Sequence, residues 1–364
     1  MNDAAPVDIA LPTPSERRPG APGGSDYAAL LSLVREAGLL QRCLPFYWTL
    51  FGILMVASGT VVTVMAMVGD SWWQLPLAAL AGLLMAQFGF LAHEASHREI
   101  FAGGRANDRA GLFLGAAIVG VSFSWWKTGH VRHHADPNTL SKDPSVRRGA
   151  FAFTAEDAAA TRGITAWYTR RQAWFLFPLL LLAGVNMQVQ SVGAVIRAAR
   201  TDGRWREASV LIGRDLAYLT VVYLCLPPGK ATALVAVQVA VFGIATASAF
   251  IPNHVGMPML PAGSRAGFLL RQIITSRNIG GGAPITALMG GLNFQIEHHL
   301  FPSMPRPHLA AASRLVRAYC RDHGISYTVT SLPTAYADVL RYLDAVGVSA
   351  LREARCPTAA VFGR

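Results

Sequence analysis

Residues 46–68 read FYWTLFGILMVASGTVVTVMAMV, a run without one charged side chain. As a helix rising 1.5 Å per residue it matches the roughly 30 Å hydrocarbon core of a bilayer. After the turn Gly69-Asp70-Ser71 a second apolar run extends from about Gln74 to Ala92, so the two form a transmembrane hairpin. Trp72 and Trp73 at the turn suit the aromatic belt of a membrane interface. The turn carries no Lys or Arg, which places it on the outer side and both hairpin ends in the cytoplasm. A second hairpin is expected from Ser209 to Leu226 and Ala231 to Ile251, joined by Pro227-Pro228-Gly229-Lys230.

Composition agrees with four spans. Of 364 residues 52% are hydrophobic and 15% charged, with a mean hydropathy of +0.34. The formal charge of +11 comes from arginines scattered over short connecting segments. No single basic face with interleaved aromatics appears, which argues against nucleic acid. Cys43, Cys225, Cys320 and Cys356 are far apart and read as reduced thiols.

Outside the hairpins, residues 1–41 are expected to be an N-terminal cytosolic tail. Its first 26 residues read as disordered and lack the apolar core of a signal peptide, and a short amphipathic helix is expected over 27–43. The stretches Ala110–Trp126 and Ala173–Ile196 are shorter or interrupted by Asn186, Gln188 and Gln190, and read as interfacial or half-inserted helices. Basic residues flank the second on both sides, Arg162, Arg170 and Arg171 before it and Arg197, Arg200, Arg204 and Arg206 after it, as for a segment that never crosses. From Asn253 onward the chain is more polar and reads as a cytosolic cap, helical around His308–His323, with residues 331–364 as a C-terminal cytosolic tail. The expected fold is an all-α integral membrane protein, with four transmembrane helices over 46–68, 74–92, 209–226 and 231–251, interfacial helices and a cytosolic helical cap.

Seven of the ten histidines fall in three clusters, His93/His97, His130/His133/His134 and His298/His299. On this topology all three lie at one membrane face. Spacings of three and four place side chains on one helical stripe, whereas adjacent residues diverge by about 100°. His93 and His97 therefore share a face, as do the three of the second cluster, while His298 and His299 suit two metal ions. Unpaired buried imidazoles would each cost about 1–3 kcal/mol, so the clusters read as ligands for iron, zinc, copper or nickel. His254, beside Asn253 at the end of the fourth span, joins them, and Gln295 is a further candidate. His308 and His323 are isolated and read as ordinary surface or core residues.

These words resemble the membrane fatty acid desaturase family. His93-Glu94-Ala95-Ser96-His97, His130-Val131-Arg132-His133-His134 and Gln295-Ile296-Glu297-His298-His299 are similar to its HxxxH, HxxHH and QxxHH boxes in order and spacing. Trp125-Trp126, Asp143-Pro144-Ser145, Asn253-His254, Thr275-Ser276-Arg277-Asn278 and Gly290-Gly291-Leu292-Asn293-Phe294 extend the match, which covers about residues 40–330 within a desaturase domain of 42–330. The resemblance implies a non-haem diiron centre in the cap, held by His93, His97, His130, His133, His134, His254, His298 and His299. The other branch of the family has histidine where Gln295 stands, which leaves this residue as a ligand or a water site in its place. Asp136, Asn138, Glu94 and Glu297 are candidates to receive ligand N–H groups.

The resemblance further implies dioxygen as co-substrate and a fatty acyl substrate carried on a lipid, coenzyme A or a carrier protein. An unactivated methylene has no acidic proton, so an oxidant is required and the product is a cis double bond plus water. No His-Pro-Gly-Gly haem word and no cysteine cluster motif occurs. Electrons then come from a separate ferredoxin, b-type cytochrome or reductase, for which Arg306, Arg314 and Arg317 offer a basic docking face. Two alternatives are weighed against desaturation. A hydroxylase, ketolase or sphingolipid-type oxidase uses the same boxes. His93-Glu94-Ala95-Ser96-His97 also fits the HExxH of a zinc protease, which leaves the other histidines idle.

Overall fold

Within a bilayer only a helix satisfies its own backbone, and the apolar runs fold accordingly. A computed structural model describes residues 26–355. Helix α1 spans Asp26–Glu36, and α2 (Leu44–Val68) and α3 (Gln74–Ser96) form the first hairpin. Its turn is sewn by Gln74, whose Nε2 donates to the carbonyls of Met65 and Gly69 at 2.8 Å each. Helix α4 (Gly104–Leu112) runs into a π-helical segment, Phe113–Val119, and the chain then bends by 116° into α5 (Phe123–Ala135). Gly120 makes the bend at φ 80°, a left-handed conformation that glycine adopts without strain. Short helices α6 (Ala155–Ala159) and α7 (Gly163–Thr169) lead to α8 (Leu176–Asp202), followed by the second hairpin, α9 (Trp205–Cys225) and α10 (Pro228–His254). The cap contains α11 (Phe268–Ile274), α12 (Gly282–Leu288), α13 (Gln295–Leu300), α14 (Leu309–Asp322) and α15 (Leu332–Arg355). Strands β1 (Asn278–Gly280) and β2 (Val329–Ser331) pair in parallel, Asn278 opposite Val329, a small addition to the all-α expectation.

Among the described residues, five helices are long and apolar enough to cross a membrane, where four were expected. Ile53, Val56, Val62 and Met67 on α2 and Leu216, Val221 and Leu224 on α9 are exposed, as lipid-facing side chains are. The fifth helix is α8, which the sequence suggested was interrupted. Asn186 and Gln190 are exposed on its surface, so they leave its backbone ladder whole. Its start, Leu176 and Leu180, packs with Ile251 and Val255 at the histidine end of α10. Its end packs Ala199 on Ala208 and Leu211 at the start of α9, where Glu207 accepts from Ser122 (2.7 Å), which caps α5, and from Ser124 in the first turn of α5. The start of α8 thus sits beside the last turns of α10 and its end beside the starts of α9 and α5. Where α8 crosses α10 the backbones nearly touch: a Cβ on Gly184 would stand 2.3 Å from the Val239 carbonyl, and one on Gly243 would stand 2.4 Å from Gly184 N. Glycine is what admits this approach.

The two hairpin turns share the opposite end. Lys230 Nζ lies 2.6 Å from Asp70 Oδ1 and 5.6 Å from the centre of the Trp72 ring. In the cap, α1 is not a loose tail: Leu30 and Val34, four apart, bury against Ile296, Leu300, Leu315 and Val316. The expected disorder of the first 26 residues lies, but for Asp26, outside the described residues. The C-terminal segment also departs from a tail over 332–355. Ala335, Val339 and Leu343 form an apolar stripe on α15, in which Ala335 packs with Phe90, Ala249 and Leu292 while Val339 and Leu343 pack with Leu176, Leu180 and Ile251. Cys43, Cys225 and Cys320 are free, and Cys356 lies outside the described residues.

Candidate metal centre

Four helix ends deliver the histidines. The last turn of α3 and its cap carry His93 and His97, one stripe of α5 carries His130, His133 and His134, α10 ends on His254, and the six-residue α13 presents His298 and His299. Their side chains converge in two groups. His93, His97, His130, His134 and His298 offer one nitrogen each within 4.8 Å of one another, as do His133, His254 and His299. All eight sequence-predicted histidines are therefore brought together. His308 lies elsewhere, with Cys43 Sγ at 3.0 Å, and His323 stacks on Tyr319.

Hydrogen bonding alone does not account for this arrangement. His130 Nε2 has His97 Nε2 at 2.8 Å and both His93 Nε2 and His134 Nε2 at 3.0 Å. One imidazole nitrogen offers either a single N–H or a single lone pair, so three such contacts cannot all be hydrogen bonds. Two nitrogens held about 2.1 Å from one ion at a right angle do lie about 3 Å apart. His298 Nε2 and His299 Nε2 are buried with no partner. Burial pushes the His97 imidazole down to about 3 and holds His298 and His299 well below the ordinary range, so these rings are neutral at pH 7, the form that a metal would need. The residues present fit a pair of metal ions.

In the smaller group each ring is held from behind. His133 Nδ1 meets Asp143 Oδ2 at 2.8 Å, His254 Nδ1 meets the Thr275 carbonyl at 3.1 Å, and His299 Nδ1 meets Gln272 Oε1 at 3.0 Å. Each Nδ1–H donates outward, which leaves the Nε2 lone pair directed inward. Burial pushes the Asp143 carboxyl up, but the hydrogen bond from His133 and those from the amides of Ser145 and Asn138 outweigh it and hold the group below its usual value. Gln272 was not legible in the sequence, since no spacing links it to a box. Asp143 and Thr275 stood in flanking words without a role.

The four anticipated partners bind elsewhere. Glu94 pairs with buried Arg306, Oε1 to Nε 2.5 Å, and Asp136 pairs with Arg271. Asn138 donates to the His254 carbonyl at 3.0 Å, and its own amide N–H reaches Asp143. Glu297 accepts from Asn278 (2.7 Å) and Tyr327 (2.8 Å), while burial pushes its carboxyl up to about 7 against those bonds. Arg306 is thus closed to a docking partner, whereas Arg314 and Arg317 are exposed on α14. With Glu94 bound to Arg306 and six more histidines around His93 and His97, the protease alternative has neither its free base nor its site.

Two cavities adjoin the centre. A cleft of about 590 Å³ is lined by His130, His133, His254, Phe151 and Phe153, with Arg147 as its one cation. A narrow, almost wholly apolar arm of about 50 Å³ runs from His93 between Gly89, Val119, Met187 and Thr246. Trp126 and Phe250 line both. The sequence profile of the family described as fatty acid desaturase matches residues 70–331. The chain belongs to the fatty acid desaturase family.

Among the relatives of this desaturase is fatty acid desaturase 3 of Bos taurus, 29% identical over 330 residues that cover 88% of this chain and 73% of that protein. The Delta(6)-fatty-acid desaturase fat-3 of Caenorhabditis elegans is 30% identical over 285 residues, 74% of this chain and 64% of the relative. The Delta(8)-fatty-acid desaturase of Helianthus annuus is 28% identical over 344 residues, 89% and 74% respectively.

Proposed function

We propose that the desaturase holds two iron ions in its two histidine groups and inserts a cis double bond into a fatty acyl chain at Δ5, Δ6 or Δ8, the positions named for its relatives. The observation that carries the reading is eight imidazole nitrogens converging in two groups between two apolar cavities. Overall, two hydrogens leave adjacent carbons and, with two external electrons, two protons and dioxygen, give two waters. Bound iron supplies the oxidising power that a non-acidic C–H bond demands and that acid–base side chains lack.

The protein's own part is to bind, orient and exclude. Asp143, the Thr275 carbonyl and Gln272 fix three rings, and the apolar walls keep water from the acyl chain. The acyl chain enters by the wider cleft with its polar end toward Arg147, passes His130 and His133, and lodges its methyl end in the narrow arm beyond Trp126 and Phe250. In the membrane, α2, α3, α9 and α10 cross while α8 lies across the bundle. The joined turns at Asp70 and Lys230 face outward and the histidines face the cytoplasm. Electrons arrive from a separate acidic donor docking on the exposed arginines of α14.

The test is a fatty acid methyl ester profile, with double bonds located by derivatisation, from cells expressing the wild type or His298→Ala. A new unsaturated species found only with the wild type is expected. Hydroxylated or keto products would transfer the chain to the sister activities.

A further inference from the structure

Gln295 stands where the sequence left a ninth ligand open, and its side chain is fully buried. Its Nε2 lies 3.0 Å from His254 Nε2. Which end of the amide faces the histidines is decided one residue further out, at Asn253, also fully buried. Asn253 Nδ2 sits 2.7 Å from the Ala249 carbonyl oxygen and 3.0 Å from that of Leu292. An oxygen placed there would oppose two carbonyl lone pairs, so this atom must be the NH2 group. The same NH2 lies 2.9 Å from the Gln295 amide and shares its two hydrogens among these three acceptors; having no lone pair, it could not accept from a Gln295 N–H, so Gln295 presents its Oε1 to Asn253. The Gln295 NH2 is left facing His254. The His254 proton is committed to the Thr275 carbonyl through Nδ1, so its Nε2 is the lone pair that a metal would use.

An amide nitrogen has no lone pair to give a metal. For Gln295 to ligate through oxygen its amide would have to flip, which would set two N–H groups against each other, and Asn253 cannot flip to follow. We infer that Gln295 is a positioning residue and not a ligand: locked by Asn253, it aims a fixed N–H donor at the open face of the position framed by His133, His254 and His299. That position then takes three protein ligands where the other takes five. The inference rests on the reading of the two histidine groups as two metal positions.

Full-length protein is purified in detergent, loaded with excess ferrous iron, desalted and read by iron content per chain and Mössbauer spectroscopy. Gln295→Leu, which removes the amide at similar volume, is expected to retain the iron content of the wild type, whereas His254→Ala loses one of the two irons. Gln295→Glu places a ligating oxygen where the N–H stood, so the signal of one iron shifts and the other stays. Loss of one iron in Gln295→Leu, as in His254→Ala, would overturn the inference, and so would a Gln295→Glu spectrum identical to the wild type. If Gln295→Leu does not fold, Gln295→Ala, which also removes any ligating oxygen, is read in its place, with retention of both irons expected and loss of one overturning the inference. A wild type without two irons would sink the dimetal reading itself, an outcome distinct from these.

Discussion

Asp143 shows how much of this site is carried by residues that are not ligands. It accepts from His133 and from two backbone amides, so one fully buried carboxylate fixes both a ring and the loop that follows α5. Partners of this kind typically contribute about 10–100-fold to metal affinity. Asp143→Ala is therefore expected to weaken iron binding by about that factor, measured by chelator competition on detergent-solubilised protein. Unchanged affinity would mean that His133 is oriented by packing alone. Seven of the eight histidines were readable because they cluster in order along the chain, five of them at helical spacing, while the solitary His254 was read from its place beside Asn253 at the end of an apolar run. Their supports were not. Glu94 adjoins His93 in sequence, but neighbours on a helix diverge by about 100°, and its carboxylate turns away to Arg306. Gln272 reaches His299 only because α11 packs against α13, which no local pattern announces.

At the scale of elements, α14 separates two uses of charge that the sequence had grouped. Arg306, just ahead of it, is buried on Glu94, while Arg314, Arg317 and Arg321 recur at spacings of three and four on one exposed face. The other face of the helix buries Ala312, Leu315, Val316 and Tyr319 on the core that includes α13, so the basic face lies one helix away from the third histidine box. Exposed charge of one sign steers association and is screened by salt. Reversing Arg314, Arg317 and Arg321 to Glu should slow turnover with an acidic protein donor and flatten its salt dependence, while a small artificial reductant supports the wild-type rate. Steady-state assays with both donors across ionic strength check this, and equal slowing with both would remove the docking role. Helix α8 is the element that the sequence read least well. Polar residues inside an apolar run suggested a break, yet Asn186 and Gln190 project outward from an unbroken helix.

Across the whole molecule, two cavities adjoin the histidines and share Trp126 and Phe250 in their walls, and the difference between them has a chemical meaning. The wider cleft has a cation, Arg147, whereas the narrow arm beyond Trp126 and Phe250 is walled almost wholly by apolar side chains. An acyl chain has one polar end and one apolar end, so desolvation favours threading it methyl end first into the arm. Gly89 lines that arm, and a Cβ there would meet only Phe242, at 3.9 Å. A methyl group is therefore tolerated at this position, while a leucine side chain projects into the narrow arm and obstructs it. Each methylene misfit in an apolar pocket is worth about 1–3 kcal/mol, or roughly 10–200-fold in selectivity. Gly89→Leu is expected to shift the products toward shorter acyl chains by such factors and to leave the double bond at the same distance from the carboxyl carbon. Gas chromatography of derivatised esters reads both properties at once. If the chain threads in the opposite sense, the same substitution displaces the double bond relative to the carboxyl carbon instead, because the blocked arm would then hold the polar end.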